Sequence, residues 1–408
     1  MALRKLNQKG AKKVNNINPG RLKEPNILFI LMNILHYLDF FEITNEIIIP
    51  DCSFISRHIK FLRNDTNDLS KAKYHIALLG LPDKEDAKSF EAANQIRQCL
   101  YKLSSLSNGL NIVDLGNIKP GNTFNDTCVA LSEVIAEINL HKTIMLLIGG
   151  TSKYNIGSYL ANEKTKKPIN MVWVDSTLTR EKIPSVTSTN LVNNNELSTF
   201  FNFTNIAYQS YYVEREMLDF IEDSYFEAYR LGSVRTNLKE MEPVLRDANL
   251  VNISLNAIKH SDAPGTNFSS PNGISGDEAC QLAFFAGHST RITSFGVFDL
   301  SPENDIHAST AKLAAQMIWY FLEGVSNAIF EEPDITPENF TKYLIHHNQS
   351  DQNIAFYKSN LTNRWWMEIT FPESNHNILL SCSETDYELT CKQEIPERWW
   401  RTFRRISH

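Results

Sequence analysis

The chain lacks the spacings that announce a zinc site or a disulfide framework. Its six cysteines, Cys52, Cys99, Cys128, Cys280, Cys382 and Cys391, are scattered over 408 residues with no C-x-x-C pair and no Cys/His cluster. Reduced thiols in a cytoplasmic protein are therefore the expectation. An excess of basic charge is missing too. The net charge of −7 argues against broad nucleic-acid binding. The apolar run Ile27–Leu38 is too short to span a bilayer. It is broken by Asn33 and His36, leads into Asp39 and has no small-x-small cleavage pattern, which sets aside a signal peptide. There is no internal repeat and no low-complexity tract beyond Asn193–Asn195.

What remains is the composition of a soluble globular protein, 42% hydrophobic and 21% charged, long enough for one large α/β domain or two ordinary ones. Basic charge is concentrated at the ends. The first 23 residues hold seven Lys and Arg without an acid, and Arg398, Arg401, Arg404 and Arg405 crowd the last stretch. Both read as solvated ends, and residues 1–31 as a basic leader that is either disordered or upstream of a true start at Met32.

From Tyr74 onward, short β-rich apolar runs alternate with helical patterns. The runs are His75–Leu79, Asn111–Asp114, Thr143–Ile148, Ile169–Val174, Asn205–Gln209, Ala228–Leu231, Leu250–Ser254 and Ile292–Asp299. Several are apolar throughout, as strands covered on both faces must be. Between them lie helix candidates such as Asp86–Leu103, Thr123–Asn139, Leu238–Asp247, Gly276–Ala286 and one beginning at His307. This pattern predicts a three-layer α/β/α sandwich on a mostly parallel sheet of about eight strands. The domain would span 32–330, with an N-terminal elaboration over 32–73. A Trp/Arg-rich α+β appendage over 331–408 would dock on it. The appendage carries Arg-Trp-Trp twice, Arg364-Trp365-Trp366 and Arg398-Trp399-Trp400. Adjacent residues of a strand face opposite sides. One Trp of each pair would pack inward while its neighbour stacks on an arginine or meets a partner.

The stretch 251–275 draws most attention, because a strand there runs into a loop with Pro264-Gly265, Pro271 and Asn272-Gly273 before a helix. In open α/β sheets such loops at strand carboxyl ends form the ligand crevice. Four segments, in this order, resemble the arginase/agmatinase/formimidoylglutamase (ureohydrolase) superfamily. They are Gly149-Gly150-Thr151-Ser152, like Gly-Gly-Asp-His; Asp175-Ser176-Thr177-Leu178-Thr179, like Asp-Ala-His-x-Asp; Ser254-Leu255-Asn256-Ala257-Ile258 with its Ala263-Pro264-Gly265-Thr266 loop, like Ser-x-Asp-x-Asp and Ala-Pro-Gly-Thr; and Asp299-Leu300-Ser301-Pro302, like Glu-Val-Asn-Pro.

The resemblance implies an arginase-like fold and, in active relatives, two Mn²⁺ ions sharing a hydroxide that attacks a guanidino or formimino carbon. It also implies homo-oligomers. Carried across, the six metal-ligand positions are Ser152, Asp175, Thr177, Thr179, Asn256 and Ile258, and only Asp175 keeps a ligand's chemistry. The family's aspartate after Gly-Gly is Thr151, and its late glutamate is Asp299. Hydroxyls and amides do not offset two divalent charges, and Ile258 cannot coordinate at all. The expectation is thus no metal cofactor and a hydrogen-bonded network around Asp175 as the sole formal charge.

Replacement chemistry has candidates nearby in His260, Asp262, His288, Asp299, Asp305 and His307, and Ser152 or Ser254 as nucleophiles, but no G-x-S-x-G elbow frames either serine. Two readings follow. The first is a pseudoenzyme that binds or scaffolds an unidentified protein partner. The alternative is a divergent hydrolase of linear amidines with a rebuilt site. The two Arg-Trp-Trp segments are the candidate partner surface.

Overall fold

The computed structural model describes residues 34–40, 54–62, 73–85, 89–106, 109–183, 200–334, 336–348, 352–370 and 377–407. The basic leader, Met32, Cys52 and Asn193–Asn195 lie outside them.

Two short strands, β1 (Leu38–Asp39) and β2 (Ile59–Phe61), precede eight more: β3 (Ile76–Gly80), β4 (Ile112–Ile118), β5 (Ile144–Ile148), β6 (Ile169–Val174), β7 (Phe200–Tyr208), β8 (Glu227–Arg230), β9 (Leu250–Ser254) and β10 (Ser294–Phe298). The intervening helices are α1 (Glu91–Leu100), α2 (Phe124–Leu140), α3 (Asn155–Glu163), α4 (Arg215–Asp223), α5 (Leu231–Thr236), α6 (Met241–Arg246), α7 (Gly276–Gly287) and α8 (Ser309–Ser326). The sheet runs β1-β4-β3-β5-β10-β9-β6-β7-β8, with β2 also on β4. The eight strands β3 to β10 are all parallel, and only β1 is antiparallel to its neighbour.

Alternation along the strands builds the three layers. Leu78, Leu146, Val172, Val251 and Ile253 point to one face, where Ile96, Leu282 and Phe321 of α1, α7 and α8 cover them. Ala77, Leu79 and Leu147 point to the other face, under Leu131 and Val134 of α2. Met171 and Trp173 share that second face with Met217 and Ile221 of α4. A strand sandwiched in this way favours apolar residues at successive positions, as in β3 and β5.

Local signals fix the helix starts. Ser275 accepts from the Glu278 amide while the Glu278 carboxylate accepts from Ser275 N at 2.7 Å, a reciprocal cap that starts α7. Asp305 accepts from the Thr310 and Ala311 amides, so α8 starts at Ser309 and not at His307, which adopts φ 98° in the turn before it. The run expected at Leu238–Asp247 is only a 3₁₀ turn followed by the six-residue α6, and α5 had no sequence signal.

The appendage is an antiparallel sheet of β11 (Phe340–His347), β12 (Gln352–Ser359), β13 (Trp365–Thr370) and β14 (Asn377–Cys382), followed by α9 (Glu384–Cys391) and α10 (Glu397–Ser407). Trp365 and Trp366 do face opposite ways on β13. Trp365 joins the appendage core and stacks on Tyr387 at 4.8 Å, and Trp366 lies under the Arg246 guanidinium at 4.3 Å. The second pair sits on a helix, where 100° of rotation leaves Trp399 buried and Trp400 exposed.

These residues mostly hold the appendage to the main domain. Arg364 pairs with Glu242 at 3.2 Å. Arg398 is buried between Glu227 at 3.1 Å and Asp247 at 3.3 Å and donates to the Ser381 carbonyl. Asp247 in turn accepts from Ser381 N and Oγ at 2.9 and 2.6 Å. Of the proposed partner surface only Trp400 is markedly open to solvent. The carboxyl-terminal arginines are not a solvated tail either. Arg401 and Arg405 donate to the Phe226 and Tyr225 carbonyls, and Arg404 to the Tyr225 hydroxyl.

Candidate functional site

The carboxyl ends of β5, β6, β9 and β10 converge. β5 leaves the sheet through Gly149 and Gly150, at φ +71° and +67°. A side chain at Gly149 would press on the Ala93 backbone at 2.7 Å, so the left-handed turn and the close approach both require glycine. That turn aims the Ser152 amide at Asp299, just past the end of β10 (2.9 Å to Oδ1).

Asp299 is a staple across three strand ends. Its amide donates to the Gly150 carbonyl at 2.9 Å, and its Oδ2 accepts from the Ser254 hydroxyl at 2.6 Å at the tip of β9. It does this in a left-handed conformation, φ 70°, which aspartate tolerates better than most residues. Burial pushes its carboxyl above the ordinary value. The Ser254 and Ser152 bonds pull it down, nearby Asp175 pushes it further up, and Lys182 lowers it.

Asp175, buried past the end of β6, accepts from the Thr177 amide (2.9 Å) and hydroxyl (3.1 Å) on Oδ1. Its Oδ2 accepts from the Lys182 ammonium at 2.7 Å. Lys182 lies on a 3₁₀ turn, Arg180–Lys182, that folds back over the strand tip. Its Nζ also donates to the Thr177 carbonyl at 2.9 Å and hydroxyl at 2.6 Å, above the Trp173 ring at 5.5 Å. Asp175 is therefore not the sole formal charge, because an ammonium and a second carboxylate share its surroundings. Sequence reasoning missed Lys182. It stands in no recognisable motif, and its one signal is a position seven residues after Asp175 in a turn short enough to fold back.

The remaining positions divide. Ser152 and Asn256 join the network through their amides, Asn256 N donating to Ser254 Oγ at 3.2 Å. Thr179 is exposed. Ile258 is in the apolar core, bridged to Ile274, and does not face the site. His260 is exposed in a loop, its amide bonded to the Ser270 carbonyl. Asp262 caps α7 through Gly276 N and pairs with Lys259. Buried polar atoms without partners (Thr151 Oγ1, Ser176 Oγ and the Asn205 and Asn256 Oδ1 atoms) mark the area as polar and incompletely satisfied.

This donor set does not fit two manganese ions. Asp175 Oδ2 already holds an ammonium, both Asp299 oxygens accept protein hydrogens, and the other positions are neutral, exposed or turned into the core. Among the described residues no three His, Cys, Asp or Glu side chains stand together in a metal-binding group. A divalent pair would meet a resident cation where it needs anions.

A mostly parallel α/β/α sandwich with a polar cluster at the strand carboxyl ends defines the class of molecule: an open-sheet protein of the kind that binds ligands at those ends. The comparisons carry this further. The model of the Arginase family matches residues 75–323, so the chain belongs to the arginase family. Among solved structures it is similar to Trypanosoma cruzi formiminoglutamase with Mn²⁺, at 20% identity over 63% of this chain and 94% of that one, TM-score 0.54. It is also similar to arginase from Bacillus subtilis, at 19% identity over 61% and 98%, TM-score 0.51. No curated protein sequence matches. Among the described residues no helix is long and apolar enough to cross a membrane.

Proposed function

We propose that the chain is a non-catalytic member of the arginase family, a cytoplasmic binding or scaffolding component that meets a protein partner. The Lys182–Asp175 ion pair carries this reading. A lysine that donates to the one retained ligand and to two oxygens of Thr177 supplies the positive charge internally. Without a Lewis acid, water is not acidified and charge developing on an amidine carbon goes unstabilised. The test is elemental analysis of the full chain purified in excess Mn²⁺, together with assays for urea and formamide release from guanidino and formimino compounds. The expected result is no stoichiometric manganese and no release. Two ions per chain, or turnover that Asp175→Ala abolishes without unfolding, would establish the hydrolase reading instead.

A further inference from the structure

Beside the strand-tip cluster lies a crevice of about 720 Å³ at the carboxyl ends of β7 and β8. Its walls include Tyr208, Tyr211, Arg230, Ser233, Asn237 and Asn272. Among the described residues no carboxylate lines it, although the chain as a whole carries a net charge of −7. Among those lining residues the one formal charge is Arg230, the last residue of β8. That side chain is exposed, and among the described residues it makes no ion pair or hydrogen bond. The neighbouring acid on the same strand, Glu227, faces away and is committed to Arg398, Asn202 and Tyr229.

The floor of the crevice is fixed. Gln209 is buried, its amide nitrogen donates to the Asn272 carbonyl at 3.1 Å, and its backbone donates to the Ser176 carbonyl at 2.9 Å. Tyr211 donates to the Gln209 side-chain oxygen, leaving that amide spoken for. The Tyr211 ring packs edge-on against Tyr212, which packs against Phe268 at 4.8 Å. The lining thus combines a braced aromatic surface with a guanidinium and neutral hydroxyl and amide groups.

We propose that this crevice binds a small organic oxyanion, whose carboxylate or phosphate is held by the Arg230 guanidinium. A planar five-donor fork suits either group, and the neutral Ser233 hydroxyl adds a donor, whereas the Asn237 amide already donates to the Glu240 carboxylate at 3.4 Å. The aromatic wall covers the apolar part of such a molecule. The inference rests on the binding reading above for its biological sense, and it supplies the ligand class that reading leaves open.

Isothermal titration calorimetry of the full chain with succinate, inorganic phosphate and uncharged succinamide tests it. At least one anion should bind while succinamide does not, and the anion that binds identifies the group. Arg230→Gln should weaken binding on the order of tenfold or more, the value of one charged hydrogen-bonded contact. Arg235→Gln, at a residue paired with Glu278 outside the lining, should leave it unchanged. Binding of neither anion, equal binding of succinamide, or wild-type affinity in Arg230→Gln overturns the proposal. Manganese content and turnover are read separately, so failure of the non-catalytic reading shows as metal uptake with anion binding intact.

Discussion

Replacing Lys182 by Met removes a charge and keeps most of the side-chain volume, which isolates the role of the ammonium. The Lys182 and Asp175 side chains are 12% and 3% exposed. Without Nζ, the Oδ2 of Asp175 is a buried anionic oxygen with no donor among the described residues, since both Thr177 bonds go to Oδ1. Breaking such a pair costs about 3–5 kcal/mol, and the surviving Thr177 bonds place this one near 3 kcal/mol. Asp175→Asn leaves the ammonium with the Thr177 carbonyl and hydroxyl, so about 2 kcal/mol is expected. The double variant has neither stranded charge and should also lose about 2 kcal/mol, giving a coupling of about 3 kcal/mol. Urea unfolding followed by circular dichroism measures all four corners of the cycle. If Lys182→Met alone fails to fold while the double variant folds, the sign of the coupling is established by that fact. A Lys182→Met protein within about 0.5 kcal/mol of wild type would refute the argument that the ammonium balances Asp175.

Asp299 should show an unusual pH dependence. Its folded-state value lies above the ordinary 3.8, so the native state binds the proton more tightly than the unfolded one. The ionised form then costs stability at neutral pH, and that cost is relieved as pH falls through the raised value. The stability of Asp299→Asn relative to wild type should therefore be higher at pH 7 than at pH 4, whatever the loss of one accepting oxygen costs at both. A difference in urea midpoints that does not change between those pH values counts against it. At the other end of the molecule, Arg398→Met strands Glu227 and Asp247 inside the junction and should cost about 4 kcal/mol. Trypsin should then release the appendage sooner than from wild type, and an unchanged digestion time course would show that the aromatic contacts alone hold it.

Much of the fold was readable because its physics is local or periodic. β-rich apolar runs, several of them unbroken, gave the eight parallel strands β3 to β10, and the helix expected from Gly276 is α7. Short elements lacked such signals. α5 has six residues, too few for a helical period to show, and α6 fills only part of the helix expected over Leu238–Asp247. β1 and β2 exist only by pairing with β4. The second tryptophan pair was misread as a strand because two residues carry no period, whereas the eleven-residue α10 has one face of Trp399, Thr402 and Arg398 turned inward. At the site, positions could be transferred from motifs but directions could not. Nothing in Ser254-Leu255-Asn256-Ala257-Ile258 says that a 3₁₀ turn at Leu255–Ala257 swings Ile258 into the core.

That last detail bears on whether the strand tips are a dormant metal site or a different structure. A dormant site would be recovered by restoring carboxylates at Asn256 and Ile258. Ile258, however, is fully buried among apolar side chains and paired through its backbone with Ile274, so a carboxylate there would be desolvated inside the core and would not reach the cluster. The Ser254 hydroxyl is likewise committed to Asp299 and to the Asn256 amide. Among the described residues two carboxylates remain at the tips, Asp299 with its pKa raised by burial, and the Lys182 ammonium pairs with Asp175. Two divalent ions would carry four positive charges into that setting and displace the one already there. The loss of the acids and the presence of Lys182 thus form one electrostatic arrangement, in which each makes the other tolerable.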